Sequence, residues 1–324
     1  MERAQRSSPS RRALSYLYDA GMTLRDEPLT DAALDAVIGF IRRSNPFAQH
    51  TWGWDTGRFI DWRWGSNAVR AADDPGWFGR FCRVFRAGGE IRAVAIAEEG
   101  GAGETIITGT EEPGVVAEVL ARLVDLHAQR DVGLSFEFSD AAGWLRVLFA
   151  AAGLRETPGT GHEWEYDLSE RGRPATAPDG FAIATLDDDR GRGDYAEIAA
   201  CIAAAFGSTR DLVPVLVSLE ANPMFLPELS VFARSREGRV AAYCRGTVDP
   251  ASGVCGIDPV CTHPEFQRRG LGRVVVERCF ANQRARGGRF SYIGSDSEPA
   301  PGTFLYRSLG PSRRTTYCCW ARPR

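Results

Sequence analysis

One run constrains this chain more than any other: His263-Pro264-Glu265-Phe266-Gln267-Arg268-Arg269-Gly270-Leu271-Gly272-Arg273. A β-branched and small stretch, Val254 to Thr262, leads into it. Val274, Val275, Val276, Cys279 and Phe280 lead out of it at helical spacing. The order is therefore strand, glycine-bearing loop, helix. Gly270 and Gly272 remove Cβ atoms where the backbone turns tightly or lets a ligand come close. The helix leaves its first N–H groups without helical acceptors, and its dipole adds partial positive charge there. Loop and helix start form an anion cradle, with Arg268, Arg269 and Arg273 beside it.

Two common anion loops do not fit. A nucleotide-hydrolysing phosphate loop ends in Gly-Lys-Ser/Thr, whereas Gly272 is followed by Arg273 and Val274, and the chain has no Lys. The dinucleotide fingerprint opens on a glycine, and Gln267 stands in that place. The pattern that fits is Gln/Arg-x-x-Gly-x-Gly/Ala. A second block, Phe304-Leu305-Tyr306-Arg307-Ser308-Leu309-Gly310, follows downstream. Together with Thr262-His263-Pro264-Glu265-Phe266 these residues resemble the GNAT acyltransferases, whose pyrophosphate signature and LYxxLGF element occur in this order. The resemblance covers Phe181 to Trp320.

Composition narrows the class. At 324 residues the chain has room for about two domains. Hydrophobic residues make up 44%, enough for substantial cores, and the net charge of -3 gives no general pull toward nucleic acid or membrane. All 39 basic residues are Arg, which excludes a Lys nucleophile. No apolar run approaches the roughly 20 residues of a membrane span. Met1 to Arg12 is basic and Ser-rich with no apolar stretch behind it, and reads as a disordered tail on a cytoplasmic protein. The eight Cys are scattered without a C-x-x-C pair, and most sit in apolar runs, so buried free thiols are expected rather than disulfides or a metal site.

Along the chain, Thr30 reads as the cap of a helix to Arg43. A Trp-rich segment follows, carrying Trp52, Trp54, Trp62, Trp64 and Trp77. A hairpin is expected at Phe81–Phe85 and Ile91–Ala97, then a strand at Thr105–Thr108, a helix from Val115 to Gln129, a strand at Gly133–Phe138, a helix from Ala141 stopped by Gly153, and a strand at Trp164–Leu168. The polar, Pro-bearing stretch from Ser169 to Asp179 reads as a linker. The order then begins again: strand Phe181–Thr185, helix Tyr195–Phe206, hairpin Leu229–Arg234 and Val240–Val248, the strand to Thr262, the cradle, a helix, strand Phe290–Gly294, the Tyr306 helix and strand Thr315–Trp320.

One plan is thus used twice. The expected class is α/β with two GNAT-like domains in tandem, each a mixed, mostly antiparallel sheet flanked by helices. The boundaries are a tail at 1–12, a degenerate copy at 13–170, a linker at 171–179 and a catalytic copy at 180–324. In the first copy Gly109-Thr110-Glu111-Glu112-Pro113-Gly114 stands where the second has its cradle, and two carboxylates repel a diphosphate. Phe149 aligns with Tyr306 and has no proton to give.

The resemblance implies acetyl-CoA or another acyl-CoA as co-substrate, no metal, and a small-molecule primary amine as acceptor, with direct transfer through a ternary complex. It sets the diphosphate against Gln267, Arg268, Arg269, Gly270, Leu271, Gly272 and Arg273. The pantetheine arm lies along Val260, Cys261 and Thr262, where the strand splays from its neighbour. Tyr306 takes the family's acid position. Thr303 stands where the family commonly has a donor-contacting Asn, and Pro311 replaces the Phe after the closing Gly. The base stays open: Asp258, in the strand ahead of the loop and on the Thr262 face by alternation, Glu228, or a water chain. His263 reads as a loop-fixing hydrogen bonder. A catalytically silent acyl-CoA-binding sensor or scaffold is the alternative reading. No nucleic-acid or membrane partner is expected, and a homodimer is compatible with either reading.

Overall fold

The computed structural model describes residues 24–44, 54–98, 100, 103–108, 112–157, 161–169, 171–172, 174–188, 194–296 and 300–322. The tail, Trp52 and residues 109–111 lie outside them. Two compact units are interleaved in sequence. The first takes the described residues of Met1–Thr56, Asp73–Thr160 and Thr316–Arg324; the second takes those of Gly57–Ala72 and Gly161–Thr315.

The chain opens with β1 (Arg25–Pro28) and α1 (Leu34–Ser44), and α1 is preceded by a 3-10 turn at Asp31–Ala33. Thr30 is extended but makes no side-chain cap bond, so its expected role is not filled. The Trp-rich segment, for which the pattern suggested no element, forms three short helices: α2 (Thr56–Trp64), α3 (Ser66–Asp73) and α4 (Trp77–Phe81). Then come β2 (Cys82–Ala87), β3 (Glu90–Ala97), β4 (Gly103–Thr108), α5 (Pro113–Arg130), β5 (Leu134–Ser139), α6 (Trp144–Ala151) and β6 (Arg155–Thr157). Gly88 and Gly89, at φ 57° and 88°, make the tight β2–β3 turn that only glycine adopts cheaply.

The second unit supplies β7 (His162–Asp167), β8 (Phe181–Thr185), α7 (Asp194–Phe206), α8 (Val213–Ser218), β9 (Ser230–Ser235), β10 (Val240–Asp249), β11 (Val254–Thr262), α9 (Leu271–Ala285), β12 (Phe290–Ser295) and α10 (Pro301–Ser308). The last strand is β13 (Arg313–Arg322).

Within the first unit the strand order is β1-β2-β3-β4-β5-β13, with β6 also on β13. Every pairing is antiparallel except β4 with β5, the pair joined through α5. The core under α5 is made by Val116, Val119, Leu120 and Leu123 against Phe136, Phe138 and Phe149. Phe149 is fully buried and stacked on Phe136 at 4.8 Å, which is a packing position. Glu112, the one carboxylate of the substituted loop among the described residues, is ion-paired with Arg92.

Within the second unit the order is β7-β12-β11-β10-β9-β8, again antiparallel except for the pair bridged by a helix, β11 with β12. The same plan therefore occurs twice, with the closing strands exchanged. β7, which follows the first unit's last helix in sequence, pairs with β12 from Phe290↔Asp167 to Ser295↔His162. β13, which follows α10, pairs with β5 from Tyr317↔Ser139 to Arg322↔Leu134.

Arg171 and Ala175 lie along α9 rather than hanging free. Arg284 donates to the Arg171 carbonyl at 2.6 Å, and the Ala175 N–H donates to Glu277 at 2.8 Å. The Arg171 guanidinium donates to the carbonyls of Leu309 and Gly310 at the C-terminal end of α10, where helical carbonyls lack partners. Among the described residues no helix is long and apolar enough to cross a membrane.

Candidate functional site

The second unit's central hairpin sets the geometry. β10 and β11 pair regularly from Asp249↔Val254 to Gly246↔Ile257, then shift register and resume at Cys244↔Val260. Asp258 and Pro259, joined by a cis peptide bond, occupy the irregularity. On its other side β11 pairs with β12 only at Val254, Cys255 and Gly256. From Ile257 onward β11 follows β10 alone, so among the described residues the edge of Val260–Thr262 turned away from β10 has no strand partner. This is the divergence that the resemblance implied.

The irregularity also breaks side-chain alternation. Ile257 and Val260, three positions apart, both pack into the cluster under α9. Cys261 packs into the cluster under α7, while Thr262 Oγ1 would lie 3.3 Å from a Cβ on Gly272 of α9. Simple alternation from Asp258 to Thr262 therefore does not hold, because the pattern slips by one residue at Asp258–Pro259.

Gln283 holds this bend from α9. Fully buried, it donates to the carbonyls of Thr247 at 3.0 Å and Gly256 at 2.9 Å. Gly246 lets the helix approach: a Cβ there would sit 2.6 Å from Cys279 Sγ and 2.8 Å from Gln283 Nε2.

His263 ends β11 and accepts a hydrogen bond from the Glu265 N–H at 3.3 Å, the loop-fixing role read from the sequence. Arg239 braces the same turn by an ion pair to Glu265 at 2.6 Å and by lying over the Phe266 ring at 5.1 Å. Arg268 at φ 61° and Gly270 at φ 80° bend the chain into α9. The first bond of the helix runs from Val274 N–H to Gly270 C=O at 3.2 Å, so Leu271, Gly272 and Arg273 have no helical acceptor.

The arginines divide by what they already hold. Arg269 lies over Phe266 at 5.6 Å and Phe181 at 6.0 Å. Arg273 pairs with Glu277 at 2.8 Å and reaches the Ser308 carbonyl at 3.3 Å. Arg268 is exposed and makes no ion pair or hydrogen bond among the described residues. Gln267 is exposed, with its amide 3.5 Å from the Thr262 carbonyl. Thr303 is buried and donates its hydroxyl to Ala300 C=O at 2.7 Å, so that proton serves its own helix start. Cys261 turns its thiol to Cys201 of α7, Sγ to Sγ 3.9 Å, and that hydrogen bond together with burial pushes the Cys261 thiol up.

Tyr306, on α10, is 7% exposed, and its backbone carbonyl accepts from the Tyr166 hydroxyl at 2.9 Å. Its own hydroxyl makes no hydrogen bond among the described residues. Burial first, and the Asp258 charge second, push the phenol above its ordinary value, so it keeps its proton. Asp258 is itself open to solvent and sits 3.6 Å from Arg58. Glu228 is placed elsewhere. Its carboxylate pairs with Arg286 and its carbonyl accepts from Asn282, both near the C-terminal end of α9, about 20 Å along the helix from the loop.

Sequence reasoning missed α2 altogether. Asp61 on α2 makes two parallel hydrogen bonds to Arg245 on β10, 2.9 and 2.8 Å long. Arg245 is 8% exposed; burial opposes its charge, and Asp61 more than offsets that, holding the guanidinium above its usual value. Asn222 adds a contact to Asp61 at 3.4 Å, and Ser218 donates to the carbonyl of Trp64. No local pattern announces these bonds.

Comparison with known proteins follows the geometry. Residues 205–310 match the model of the acetyltransferase (GNAT) family. A GCN5-related N-acetyltransferase from Sphaerobacter thermophilus superposes with TM-score 0.63 at 16% identity, over 93% of this chain and 95% of that one. A tandem GNAT protein from the clavulanic acid biosynthesis pathway gives 0.61 at 14%, over 93% and 98%. A GNAT-family acetyltransferase from Colwellia psychrerythraea gives 0.57 at 8%, over 93% and 100%. No curated protein matches the sequence in a direct search. Residues 205–310 are thus a GNAT-family acetyltransferase domain, carried by a chain with the fold of tandem GNAT proteins.

Proposed function

We propose that this protein transfers an acyl group, acetyl in the first instance, from an acyl-CoA to the primary amine of a small molecule. The observation that carries the reading is the conjunction at the end of β11: an unpaired strand edge at Val260–Thr262 running into a bent loop whose helix start presents unpaired N–H groups.

In this reading the N–H groups from Gln267 to Arg273 and the Arg268 side chain hold the diphosphate of the co-substrate. The edge at Val260, Cys261 and Thr262 hydrogen-bonds the pantetheine arm. The acceptor ammonium gives a proton to Asp258 or to water beside it, and the freed amine attacks the thioester carbonyl. A C–N bond forms and the C–S bond breaks, Tyr306 gives its proton to the departing thiolate, and the second proton lost by the amine nitrogen returns through water to the phenolate. The products are an amide and a free thiol. The first unit, with Phe149 in a packed core, is a degenerate copy kept for structure.

The test is release of free thiol from acetyl-CoA and longer acyl-CoAs across an amine panel. Amine-dependent release that falls at least about 100-fold in Tyr306→Phe supports the reading. Tight CoA binding without release for any donor favours the silent sensor or scaffold instead.

A further inference from the structure

The helix that carries Tyr306 does not stand by its own sequence. α10 is eight residues long, about two turns, and Gly302, Thr303 and Phe304 are weak helix formers. Carbonyls at its C-terminal end are held by side chains from elsewhere. Arg273, at the start of α9, reaches Ser308 C=O at 3.3 Å. One terminal nitrogen of Arg171 donates to Leu309 C=O and the other to Gly310 C=O at 2.6 Å. Its Nε donates to Asp167 C=O at 3.3 Å, so all three nitrogens of the guanidinium are in use. The same guanidinium lies over the rings of Tyr166 at 5.0 Å and of Phe280, on α9, at 5.4 Å. Tyr166 in turn donates to Tyr306 C=O at 2.9 Å. The Arg171 carbonyl accepts from Arg284 of α9 at 2.6 Å. One residue is thus joined to two helices: α9, whose start is the cradle, and α10, whose second turn holds the phenol.

We propose that Arg171 is a positioning residue for Tyr306, a clamp that locks α10 against α9 and so holds the phenol within reach of the thioester sulfur. This rests on the acyltransfer reading given above, with Tyr306 as the acid. The cradle fixes the donor to the start of α9, and the clamp fixes the acid to the far part of the same helix. Proton donor and departing thiolate are then referred to one rigid element. A proton passes only at hydrogen-bond reach, and a misplacement of about 1 Å can cost on the order of 100-fold in rate. Arginine suits the task. Its planar fork meets two carbonyls at once while its face covers two rings, and lysine offers one point charge and no flat face. Arg171 touches no reacting atom; it acts through the main chain of α10 and through Tyr166.

The experiment is a kinetic double-mutant cycle on the full chain, Arg171→Gln with Tyr306→Phe, read by thiol release and by calorimetric CoA binding. With the tyrosine present, Arg171→Gln should lower kcat at least about tenfold while the Kd for CoA stays within about twofold. In the Tyr306→Phe protein the same change should move kcat by less than about twofold, because no phenol is left to place. Arg171→Lys should recover part of the loss, and it replaces Arg171→Gln in the cycle if that variant does not fold. A merely structural role slows both backgrounds alike. That result overturns the proposal, as does a kcat for Arg171→Gln equal to that of the wild type. If no acceptor is turned over, or if Tyr306→Phe is as fast as the wild type, the acyltransfer reading fails by itself, and fluorine NMR of fluorotyrosine incorporated in place of Tyr306 decides the clamp. A signal that shifts or broadens in Arg171→Gln supports it, and a signal that stays unchanged overturns it.

Discussion

Tyr166 donates its hydroxyl to the backbone carbonyl of Tyr306, not to its phenol. Fold and chemistry can therefore be separated at this position. Tyr306→Phe keeps the bond and should change stability by less than about 0.5 kcal/mol while turnover falls at least about 100-fold. Tyr166→Phe leaves the Tyr306 carbonyl only the longer bond from the Leu309 N–H at 3.3 Å and should cost about 0.5–1.5 kcal/mol. Urea unfolding alongside the thiol assay reads both.

Alkaline stability should report the buried phenols. Tyr166, Tyr243 and Tyr306 are all raised, each chiefly by burial. A folded-state value above that of the unfolded chain means that their contribution is whole below about pH 10 and is lost above it, as the unfolded chain ionises. The melting temperature should therefore drop steeply above about pH 10, with phenolate absorbance appearing together with unfolding. For the same reason the thiol-release rate should show no alkaline limb from Tyr306 below that pH.

Removing Asp61 leaves Arg245 charged and buried. Asp61→Ala should cost about 3–5 kcal/mol, and Asp61→Leu with Arg245→Met should recover much of that loss, because the second change removes the stranded charge. Denaturant unfolding of the two variants checks the order.

The loop glycine at 270 is needed for its backbone angle. No atom lies within 4 Å of a Cβ built there, but φ is +80°. Gly270→Ala should cost about 1–2 kcal/mol and weaken CoA binding about fivefold or more, read by urea unfolding and calorimetry. At Gly272 the obstacle is a neighbour: a Cβ would meet Leu305 Cδ2 at 3.1 Å, so the strain there passes to α10.

What could be read from residue order was local. The strand, the turn at His263, the helix from Leu271 and the Tyr306 helix all carry their signals within a few positions, and the doubled plan follows from their succession. Four features had no such signal. Asp61 and Arg245 meet across 184 positions. The bend at Asp258–Pro259 shifts the strand by one residue and upsets an alternation argument that needs an unbroken ladder. The helices around Trp62 and Trp77 carry six aromatic residues and two glycines, types with weak helical preference. Thr30 has the residue type of a cap and an extended backbone, but its side chain makes no capping bond.

The exchange of closing strands makes the polypeptide indivisible at the place where it looks most easily cut. Starting a clone at residue 180 would discard β7, stripping the outer edge of β12, and would take Asp61 from Arg245. Starting at Met1 and stopping at residue 170 would deny β5 its neighbour β13. A protease nick within 171–179 is a different matter. Both fragments then still hold strands of each body, and the sample should run as two bands in detergent yet elute as one particle from a sizing column.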